Sequence, residues 1–258
     1  MPEGDTIRWA ANRIRPALEG RVPEQILTPQ PRHALDRWPQ RLAGRAVTRV
    51  EPYGKHLFLR FEGGLALHSH LRMTGAWGVY RAGQPWRRSR RRAWLVLLAG
   101  EREIVQFDGP VLELMTDGRT RFDQRLASLG PDVLADEIDL SGFLRRLRGD
   151  DPTRGIGDAL LDQTTIAGIG NIWKSEGCWE AGIDPWRPVA EVSDAEAMSI
   201  IEKVRPRMRR SAEQGPKAIG ARVYNRAGRP CPRCGSSVRA GRQGEGNRTT
   251  FWCPGCQR

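Results

Sequence analysis

The first half of the chain alternates short apolar runs with turn residues, a pattern that predicts β-structure. Val, Leu, Phe and Trp dominate the runs, and Gly, Pro or Arg-rich breaks separate them. The predicted strands are Val22–Leu27, Ala46–Pro52, His56–Phe61, Leu65–His70, Trp77–Tyr80, Trp94–Leu98, Glu103–Phe107 and Leu112–Met115. Seven or eight strands at this spacing indicate an antiparallel sandwich or barrel.

Apolar residues at helical spacing surround this region. Helices are predicted at residues 3–19, 153–163, 171–182 and from Ser193 to about Arg210. The first helix ends at Gly20, and the last opens on the capping box Ser193–Glu196. A short helical stretch at Ser141–Leu147 lies between two Gly- and Asp-containing breaks, as expected of an interdomain connection. We therefore expect a β-rich domain, a linker and a helical domain, which together make an α+β fold.

The charge of the chain favours a polyanionic partner. Lys and Arg outnumber Asp and Glu by 42 to 30, so the formal net charge is +12 and the pI is near 10.4. Phosphate neutralisation drives non-specific nucleic-acid binding, but charge alone does not separate DNA from RNA or acidic membranes. No apolar run approaches the roughly 20 residues of a membrane span, and the N-terminus lacks the pattern of a signal or transit peptide. The expected location is the cytoplasm, or the nucleoid within it.

Four of the five cysteines cluster near the C-terminus with the spacing Cys231-x2-Cys234-x18-Cys253-x2-Cys256. Paired thiolates at the ends of two hairpin turns complete a tetrahedral shell, so the sequence predicts a bound zinc ion. Four thiolates leave no open position for chemistry, which makes this zinc a structural clip. The remaining Cys178 is expected to be a core thiol within a helix.

A glycine-rich segment, Gln163–Trp173, offers a candidate phosphate site. Its glycines allow a tight turn, and a helix that starts at Asn171 offers unpaired backbone amides and a side-chain amide to a phosphate. An ordinary helix–turn–helix packing unit explains the same pattern. The segment taken alone leaves both interpretations open.

The N-terminal sequence Met1-Pro2-Glu3-Gly4 offers a nucleophile. Removal of methionine before proline leaves a secondary amine, and α-amino groups titrate near roughly 7.7–8.0 in model compounds, so part of it stays neutral. Such an amine can attack C1′ of a deoxyribose, and the resulting iminium eases departure of the base and elimination of the 3′ phosphate. Glu3 is positioned to move protons to and from the opening sugar ring. Many unrelated chains begin in this way, so the pattern alone decides nothing.

Lysines are scarce, and the chain has only Lys55, Lys174, Lys203 and Lys217. Lys55 follows a glycine turn at the start of a strand, where its ammonium can meet a phosphate or act as an acid, and an exposed hairpin lysine is the alternative. His68 and His70 share one face of a strand and are expected to pack or hydrogen-bond rather than bind a metal. The run Arg87–Arg92 is expected to be a solvated loop, with contact to a DNA backbone as the alternative.

These features occur in one order along the chain, from Pro2-Glu3 and Gly54-Lys55 to the glycine-rich turn and the four-cysteine hairpin. Together they resemble the formamidopyrimidine-DNA glycosylase/endonuclease VIII family over essentially the whole chain. The resemblance implies an N-terminal helix-flanked antiparallel β-sandwich and a C-terminal helix–two-turns–helix domain with a zinc finger, with DNA in the cleft between them. The implied divisions are residues 1–130 for the catalytic β-sandwich, 131–152 for the linker, 153–222 for the DNA-binding helices and 223–258 for the zinc finger.

The resemblance also implies the catalytic residues. Pro2 would be the Schiff-base nucleophile, Glu3 the general acid, and Lys55 the lysine that contacts the phosphate flanking the lesion. Many members of the family continue Pro-Glu-x-Pro-Glu, whereas this chain has Asp5 and Thr6. A second acidic residue near the site is therefore missing or displaced to Asp5.

DNA-binding residues follow from the same resemblance. Asn171 would bind a phosphate at the helix start, and Arg248 would grip the backbone from the zinc hairpin. The loop Leu71–Thr74, with Arg72 and Met73 at its centre, matches the segment that fills the gap left by the extruded nucleotide. Flipping a base costs a few kcal/mol of stacking, which an inserted side chain partly restores.

The formamidopyrimidine type carries an Arg-Phe pair in the region of Phe107–Pro110, and this chain lacks that pair. The resemblance is therefore closer to endonuclease VIII-like proteins, and the expected function is excision of oxidised pyrimidines from double-stranded DNA by a monomer, with β- and δ-elimination at the abasic site. Two alternatives stay open: an oxidised-purine glycosylase of the same mechanism, and a non-catalytic protein that binds damaged DNA.

Overall fold

The computed structural model describes residues 2–34 and 36–258 and divides into two compact units. Unit 1 contains Pro2 and Thr6–Ala127, and unit 2 contains Glu3–Asp5 and Ser128–Arg258. Met1, whose removal the predicted nucleophile requires, lies outside the described residues. Within those residues, no helix is both long and apolar enough to cross a membrane.

Unit 1 is built on two antiparallel sheets of four strands each. The strands are β1 (Gln25–Leu27), β2 (Val47–Tyr53), β3 (His56–Phe61), β4 (Leu65–His70), β5 (Ala76–Arg81), β6 (Ala93–Ala99), β7 (Arg102–Phe107) and β8 (Val111–Thr116). One sheet has the order β2-β3-β4-β8 and the other the order β1-β6-β7-β5. The eight predicted strands are confirmed, and their predicted ends lie within three residues of the observed ones.

A long helix, α1 (Gly4–Leu18), packs against the strands. Its apolar side chains and those of both sheets form one buried cluster, which includes Ile7, Ile14, Leu18, Leu57, Leu67, Leu95 and Leu97. The 3.6-residue period of the helix and the two-residue period of the strands turn these positions inward. The predicted N-terminal helix and helix-flanked sandwich are confirmed.

Short helices complete the described part of unit 1: α2 (Pro31–Ala34), α3 (Trp38–Leu42), α4 (Asp117–Phe122) and α5 (Gln124–Ala127). The sequence did not predict them, because helices of one turn or so are too short to show an apolar period. In α4 a local side chain supplies a signal of another kind, because the Thr116 hydroxyl accepts the Arg119 N–H at 3.1 Å and caps the helix.

Unit 2 is helical, as predicted. Its helices are α6 (Leu140–Arg148), α7 (Ile156–Ala159), α8 (Asn171–Ala181) and α9 (Asp194–Gln214). The capping box at the start of α9 is confirmed, because the Ser193 N–H donates to the Glu196 carboxylate at 2.8 Å and the Glu196 N–H donates to the Ser193 hydroxyl at 3.3 Å. A second buried cluster, including Phe143, Trp173 and Ile200, joins these helices.

The helix predicted over 153–163 is wrong in length, since only Ile156–Ala159 is helical. Beyond Ala159 the amides of Leu161 and Asp162 bond to carbonyls three residues back, and the Asp162 carboxylate accepts the backbone N–H of Thr164 at 2.8 Å. Such local side-chain bonds compete with helix propagation. The chain then enters the turn that precedes α8.

An antiparallel hairpin of β9 (Arg239–Gln243) and β10 (Arg248–Trp252) lies near the end of the chain. A small buried cluster attaches it to the helices, with Trp179 from α8 against Cys231, Val238 and Cys253. The α+β class, with a β-sandwich, a helical domain and a C-terminal cysteine hairpin, is therefore confirmed.

Candidate active site and nucleic-acid interface

The carboxylate of Glu3 caps the N-terminus of α8. It is 1% exposed and accepts the backbone N–H groups of Gly170 at 3.0 Å, Ile172 at 2.8 Å and Trp173 at 3.2 Å. A helix N-terminus carries partial positive charge and unsatisfied amides, so an anion is stabilised there. The expectation that these amides are unpaired is wrong, because a carboxylate of the same chain occupies the place that suits a phosphate.

The glycines before α8 make room for this carboxylate. A Cβ on Gly170 would lie 2.4 Å from the Glu3 carboxyl carbon, so any other residue there would displace the carboxylate. Gly168 has φ of +102°, and its carbonyl accepts the Gly4 N–H at 2.9 Å. The glycine-rich segment therefore leaves the space, and provides the hydrogen bonds, that fix residues 3 and 4.

The acidic residue two positions further along has a different environment. Asp5 is 4% exposed, and its carboxylate accepts the hydroxyl of Ser211 on α9 at 2.5 Å. This contact anchors the first turn of α1 within unit 2. Pro2, the predicted nucleophile, is half-buried.

One face of α8 holds the hairpin through polar contacts. Asn171, Lys174 and Ser175 occupy neighbouring positions at helical spacing. The Asn171 side-chain NH₂ donates to the Thr249 carbonyl at 2.7 Å, and the Ser175 hydroxyl accepts the Phe251 N–H at 3.4 Å. The predicted phosphate ligand Asn171 is thus bonded directly beside the hairpin position that carries Arg248.

Lys174 is a buried charged residue in this contact that the sequence analysis did not identify. Its side chain is fully buried, and its ammonium donates to the Thr250 hydroxyl, with the Gln243 side-chain oxygen at 3.4 Å. Burial lowers the pKa of Lys174 to about 8. Its position three residues after Asn171, in a chain with few lysines, was the available signal.

Arg248 is exposed on the first residue of β10, opposite Gln243. The contacts from α8 reach the next three residues of the strand, Thr249, Thr250 and Phe251. The structure therefore places Glu3, Asn171 and the backbone next to Arg248 close to one another at the N-terminal end of α8.

The predicted cysteine site is assembled as a compact set of four sulfur atoms. The Sγ atoms of Cys231, Cys234, Cys253 and Cys256 all lie within 4.8 Å of one another. The Cys231–Cys256 and Cys234–Cys253 sulfur separations are 3.8 and 3.4 Å. A tetrahedral zinc with bonds of about 2.3 Å needs sulfur atoms about 3.8 Å apart, so the donor set fits a metal ion of this kind.

In unit 1, Lys55 lies in the two-residue turn between β2 and β3, after Gly54 with φ of +53°. The register pairs His56 at the start of β3 with His70 at the end of β4. The Lys55 turn and the loop that follows His70 therefore lie at the same end of the sheet. Lys55 is half-buried and raises the local positive potential at His70.

Three histidines form a network beneath this end of the sheet. His56 Nδ1 lies 2.8 Å from His68 Nε2, and His68 Nδ1 lies 3.5 Å from the Glu113 carboxylate. His70 Nδ1 accepts the Arg72 N–H at 3.1 Å. The prediction that His68 and His70 hydrogen-bond is confirmed, whereas the participation of His56 from the neighbouring strand was missed.

These histidines are held neutral at physiological pH. Burial, followed by the neighbouring His70 and His68, lowers the pKa of His56 to about 3. Burial, followed by the charges of Arg72 and Lys55, lowers the pKa of His70 to about 4. Burial also lowers the pKa of His68, against an opposing effect of Glu113.

The loop Leu71–Thr74 has a buried base and an exposed tip. Leu71 is 2% exposed, whereas Met73 is 62% exposed and Arg72 is exposed with φ of +47°. Gly75 closes the loop with an N–H bond to the Leu71 carbonyl at 2.9 Å. A large apolar side chain is thus presented to solvent from a fixed base.

The arginine run lies between β5 and β6, as predicted, and all of its residues except Arg88 are exposed, but two of its arginines have a partner. Arg88 and Arg92 both pair with the carboxylate of Asp108, at 2.9 and 2.7 Å. The residues at 90–92 form a 3₁₀ turn, and the Arg90 guanidinium lies 4.7 Å from the Trp86 ring centre. A run of like charges gave no indication of which members find a partner.

Comparison with protein families identifies the class to which this arrangement belongs. The model of the formamidopyrimidine-DNA glycosylase N-terminal domain matches residues 1–122, and that of the formamidopyrimidine-DNA glycosylase H2TH domain matches residues 129–222. The chain therefore belongs to the formamidopyrimidine-DNA glycosylase/endonuclease VIII family, and the resemblance stated from its motifs is confirmed.

Among its relatives the chain is similar to proteins named for endonuclease 8. It is 44% identical to the probable endonuclease 8 2 of Streptomyces coelicolor, over all of this chain and 94% of the relative. It is 37% identical to the DNA-(apurinic or apyrimidinic site) lyase Nei2 of Mycolicibacterium smegmatis, over all of this chain and 99% of the relative. Within the family the chain is therefore endonuclease VIII-like.

Solved structures support the fold. The Fpg protein of Lactococcus lactis in complex with DNA containing N7-benzyl-Fapy-dG superposes with a TM-score of 0.84 at 22% identity, over the whole of both chains. A structure of MutM in complex with DNA containing carbocyclic 8-oxo-G gives a TM-score of 0.82. At this level of identity the likeness extends to the fold alone.

Proposed function

We propose that this protein is a bifunctional DNA glycosylase and abasic-site lyase that removes oxidised pyrimidines from double-stranded DNA. The observation that carries the proposal is the fixed carboxylate of Glu3, which follows the candidate nucleophile Pro2 directly in the chain and is held by three backbone amides at the start of α8. The arrangement provides an acid–base group at a defined position next to an amine that is free once Met1 is removed. The relatives named endonuclease 8 and abasic-site lyase favour the same chemistry.

The proposed reaction begins at the Pro2 nitrogen. This nitrogen bonds to C1′ of the damaged nucleotide as the C1′–base bond breaks, and the base leaves with that electron pair and takes a proton from water. The Glu3 carboxylate takes the proton that the amine releases. The sugar ring then opens as C1′ and nitrogen form an iminium, and Glu3 passes its proton to O4′. The Glu3 carboxylate next removes a proton from C2′, and the 3′ phosphate departs in β-elimination. A second elimination, with loss of the C4′ proton, releases the 5′ phosphate, and water hydrolyses the remaining iminium to free Pro2.

Four kinds of contact with DNA complete the proposal. We propose that Lys55 contacts the phosphate flanking the lesion, and that Asn171 and Arg248 bind the backbone. Arg72 and Met73 would fill the gap left by the extruded nucleotide, which agrees with the 62% exposure of Met73.

The four cysteines would hold zinc, which supplies no chemistry and keeps the hairpin folded. We further propose that the functional divisions are residues 1–130, 131–152, 153–222 and 223–258, and that the protein acts as a monomer.

Borohydride trapping on abasic-site DNA tests the nucleophile. Protein produced with Met1 retained carries Pro2 in a peptide bond, whose nitrogen is not nucleophilic. We expect no trapped complex from that protein and full trapping after methionine aminopeptidase treatment, with intact mass as the check on processing. Equal trapping before and after Met1 removal would show that another amine is the nucleophile.

An excision panel tests the substrate class. Duplexes that contain thymine glycol, 5-hydroxycytosine or 8-oxoguanine are compared under single-turnover conditions with the same processed enzyme. We expect the two pyrimidine lesions to be released faster. Preferential release of 8-oxoguanine would favour the purine alternative, and trapping without release of any base would leave an abasic-site lyase.

A further inference from the structure

A cluster of charged side chains in unit 1 joins the loop Leu71–Thr74 to two distant segments. One Nη1 atom of Arg88 donates to the Thr74 carbonyl at 2.8 Å and to the Asp108 carboxylate at 2.9 Å. Arg92 bonds the same carboxylate through Nε at 3.0 Å. The Thr74 hydroxyl donates to the Asp108 carbonyl at 3.3 Å. Two arginines of the biased run thus tie the loop to the turn after β7.

The two segments that the cluster joins adopt unfavourable backbone conformations. Arg72 has φ of +47° and Asp108 has φ of +46°, both in the left-handed region that residues other than Gly seldom adopt, although Asp adopts it more readily than Arg. Such conformations persist where the surroundings over-determine them. The contacts of Arg88, Arg92 and Thr74 with Asp108 constrain the Asp108 backbone and the Thr74 end of the loop, and the Arg72 N–H donates to His70 Nδ1 at 3.1 Å.

The cluster fixes the base of the loop and leaves the tip accessible. The Asp108 side chain is 21% exposed and that of Arg88 33%, so their charge-assisted bonds are partly shielded from water. Met73 stays exposed beyond them. A side chain that is inserted into a DNA stack is most effective when its loop already has the inserted shape, because ordering it at that moment opposes insertion.

We propose that Arg88 and Asp108 are positioning residues that keep the Leu71–Thr74 loop in the shape needed to insert its tip into the base stack as the damaged nucleotide leaves. This inference rests on the proposed function of the protein. In this proposal Arg88, a member of the arginine run, positions a loop in addition to any general attraction of the run for DNA.

The test compares Arg88→Met with Arg91→Met. Arg91 is exposed in the same run, so both variants lose one positive charge from nearly the same place. Each variant is assayed on a thymine glycol duplex and on the same duplex with a preformed abasic site. An abasic nucleotide has no base to extract from the stack, so its cleavage depends less on the loop.

We expect Arg88→Met to lower the single-turnover rate of thymine glycol excision by about ten-fold or more, and to change nicking at the abasic site by less than about two-fold. Arg91→Met should change both rates by less than about two-fold. Asp108→Ala should likewise lower the rate of thymine glycol excision more than the rate of abasic-site nicking. Arg88→Lys should recover part of the excision rate, because an ammonium can still reach the carboxylate. Fluorescence of 2-aminopurine beside the lesion should show slower insertion in Arg88→Met.

Normal excision by Arg88→Met would overturn the inference, as would equal losses in Arg88→Met and Arg91→Met, which indicate electrostatics alone. A parallel loss of excision and abasic-site nicking in Arg88→Met, with unchanged thermal stability, would also overturn it. Borohydride trapping by the wild-type protein tests the proposed function separately. Failure of the proposed function can therefore be distinguished from failure of the inference about Arg88 and Asp108.

Discussion

Glu3 combines two tasks in a single side chain. Its two oxygens accept three backbone N–H groups at the start of α8, and the same carboxylate is the proposed proton carrier beside Pro2. Because the donors belong to a helix N-terminus, they stabilise the negative charge of the carboxylate as well as its position. The position of the proposed acid–base group therefore depends on backbone N–H groups rather than on the identity of the side chains at those positions.

Replacing this carboxylate separates the two tasks. In Glu3→Gln one oxygen becomes an NH₂ that cannot accept the amides, so we expect unit 2 to lose about 1–3 kcal/mol of unfolding free energy. Without an ionisable group, excision should fall by about 10²–10⁴-fold. Urea denaturation and single-turnover kinetics measure the two effects.

Glu24→Gln is the matched control, since Glu24 accepts the Gly100 N–H at 3.0 Å on the surface. Its stability should change by less than about 0.5 kcal/mol and its excision rate should be unaffected. Wild-type excision by Glu3→Gln would remove Glu3 from the proposed mechanism.

At the scale of elements, the pairing of β3 with β4 creates the histidine network, since it sets His56 opposite His70. Alternation within β4 was enough to predict that His68 and His70 share a face. The contribution of His56 required the register between two strands, which is a long-range property. The contact of Glu3 with the start of α8 is also a long-range property. The glycines before α8 could be identified from the sequence, but the sequence did not show that the Glu3 side chain would pack against them.

The histidine network should make unit 1 sensitive to acid. The folded pKa values of about 3 for His56 and about 4 for His70 lie below the value of roughly 6.5 for an unfolded chain. Between these values the unfolded chain binds protons that the folded chain does not. The free energy of unfolding should therefore fall as the pH falls below about 6.5, by up to about 1.4 kcal/mol per pH unit for each histidine.

Urea titrations between about pH 7 and pH 4.5 measure this dependence. His56→Gln keeps a hydrogen-bonding group beside His68 but does not titrate, so its stability should fall less steeply with acid. An identical slope in wild type and variant would show that His56 does not remain neutral in the folded protein.

At the scale of the whole molecule, net charge predicts the class of binding partner but not which part of the surface that partner contacts. The chain carries +12, yet Arg154 is surrounded by Asp150, Asp158 and Asp162 at 2.5, 2.6 and 3.3 Å. Such a cluster repels phosphates. The order of motifs along the chain identified the family because several weak patterns had to agree, whereas each pattern alone also fits unrelated folds.

The contact between Glu3 and α8 joins residues 167 or more positions apart in the sequence. During synthesis the first residues leave the ribosome long before α8 exists, and N-terminal domains generally fold first. The start of α1 is therefore accessible to processing enzymes before its contacts with α8 can form. A nascent chain would hold a processed amine before the proposed proton carrier is anchored beside it, so the proposed nucleophile would lack that partner until α8 has been made.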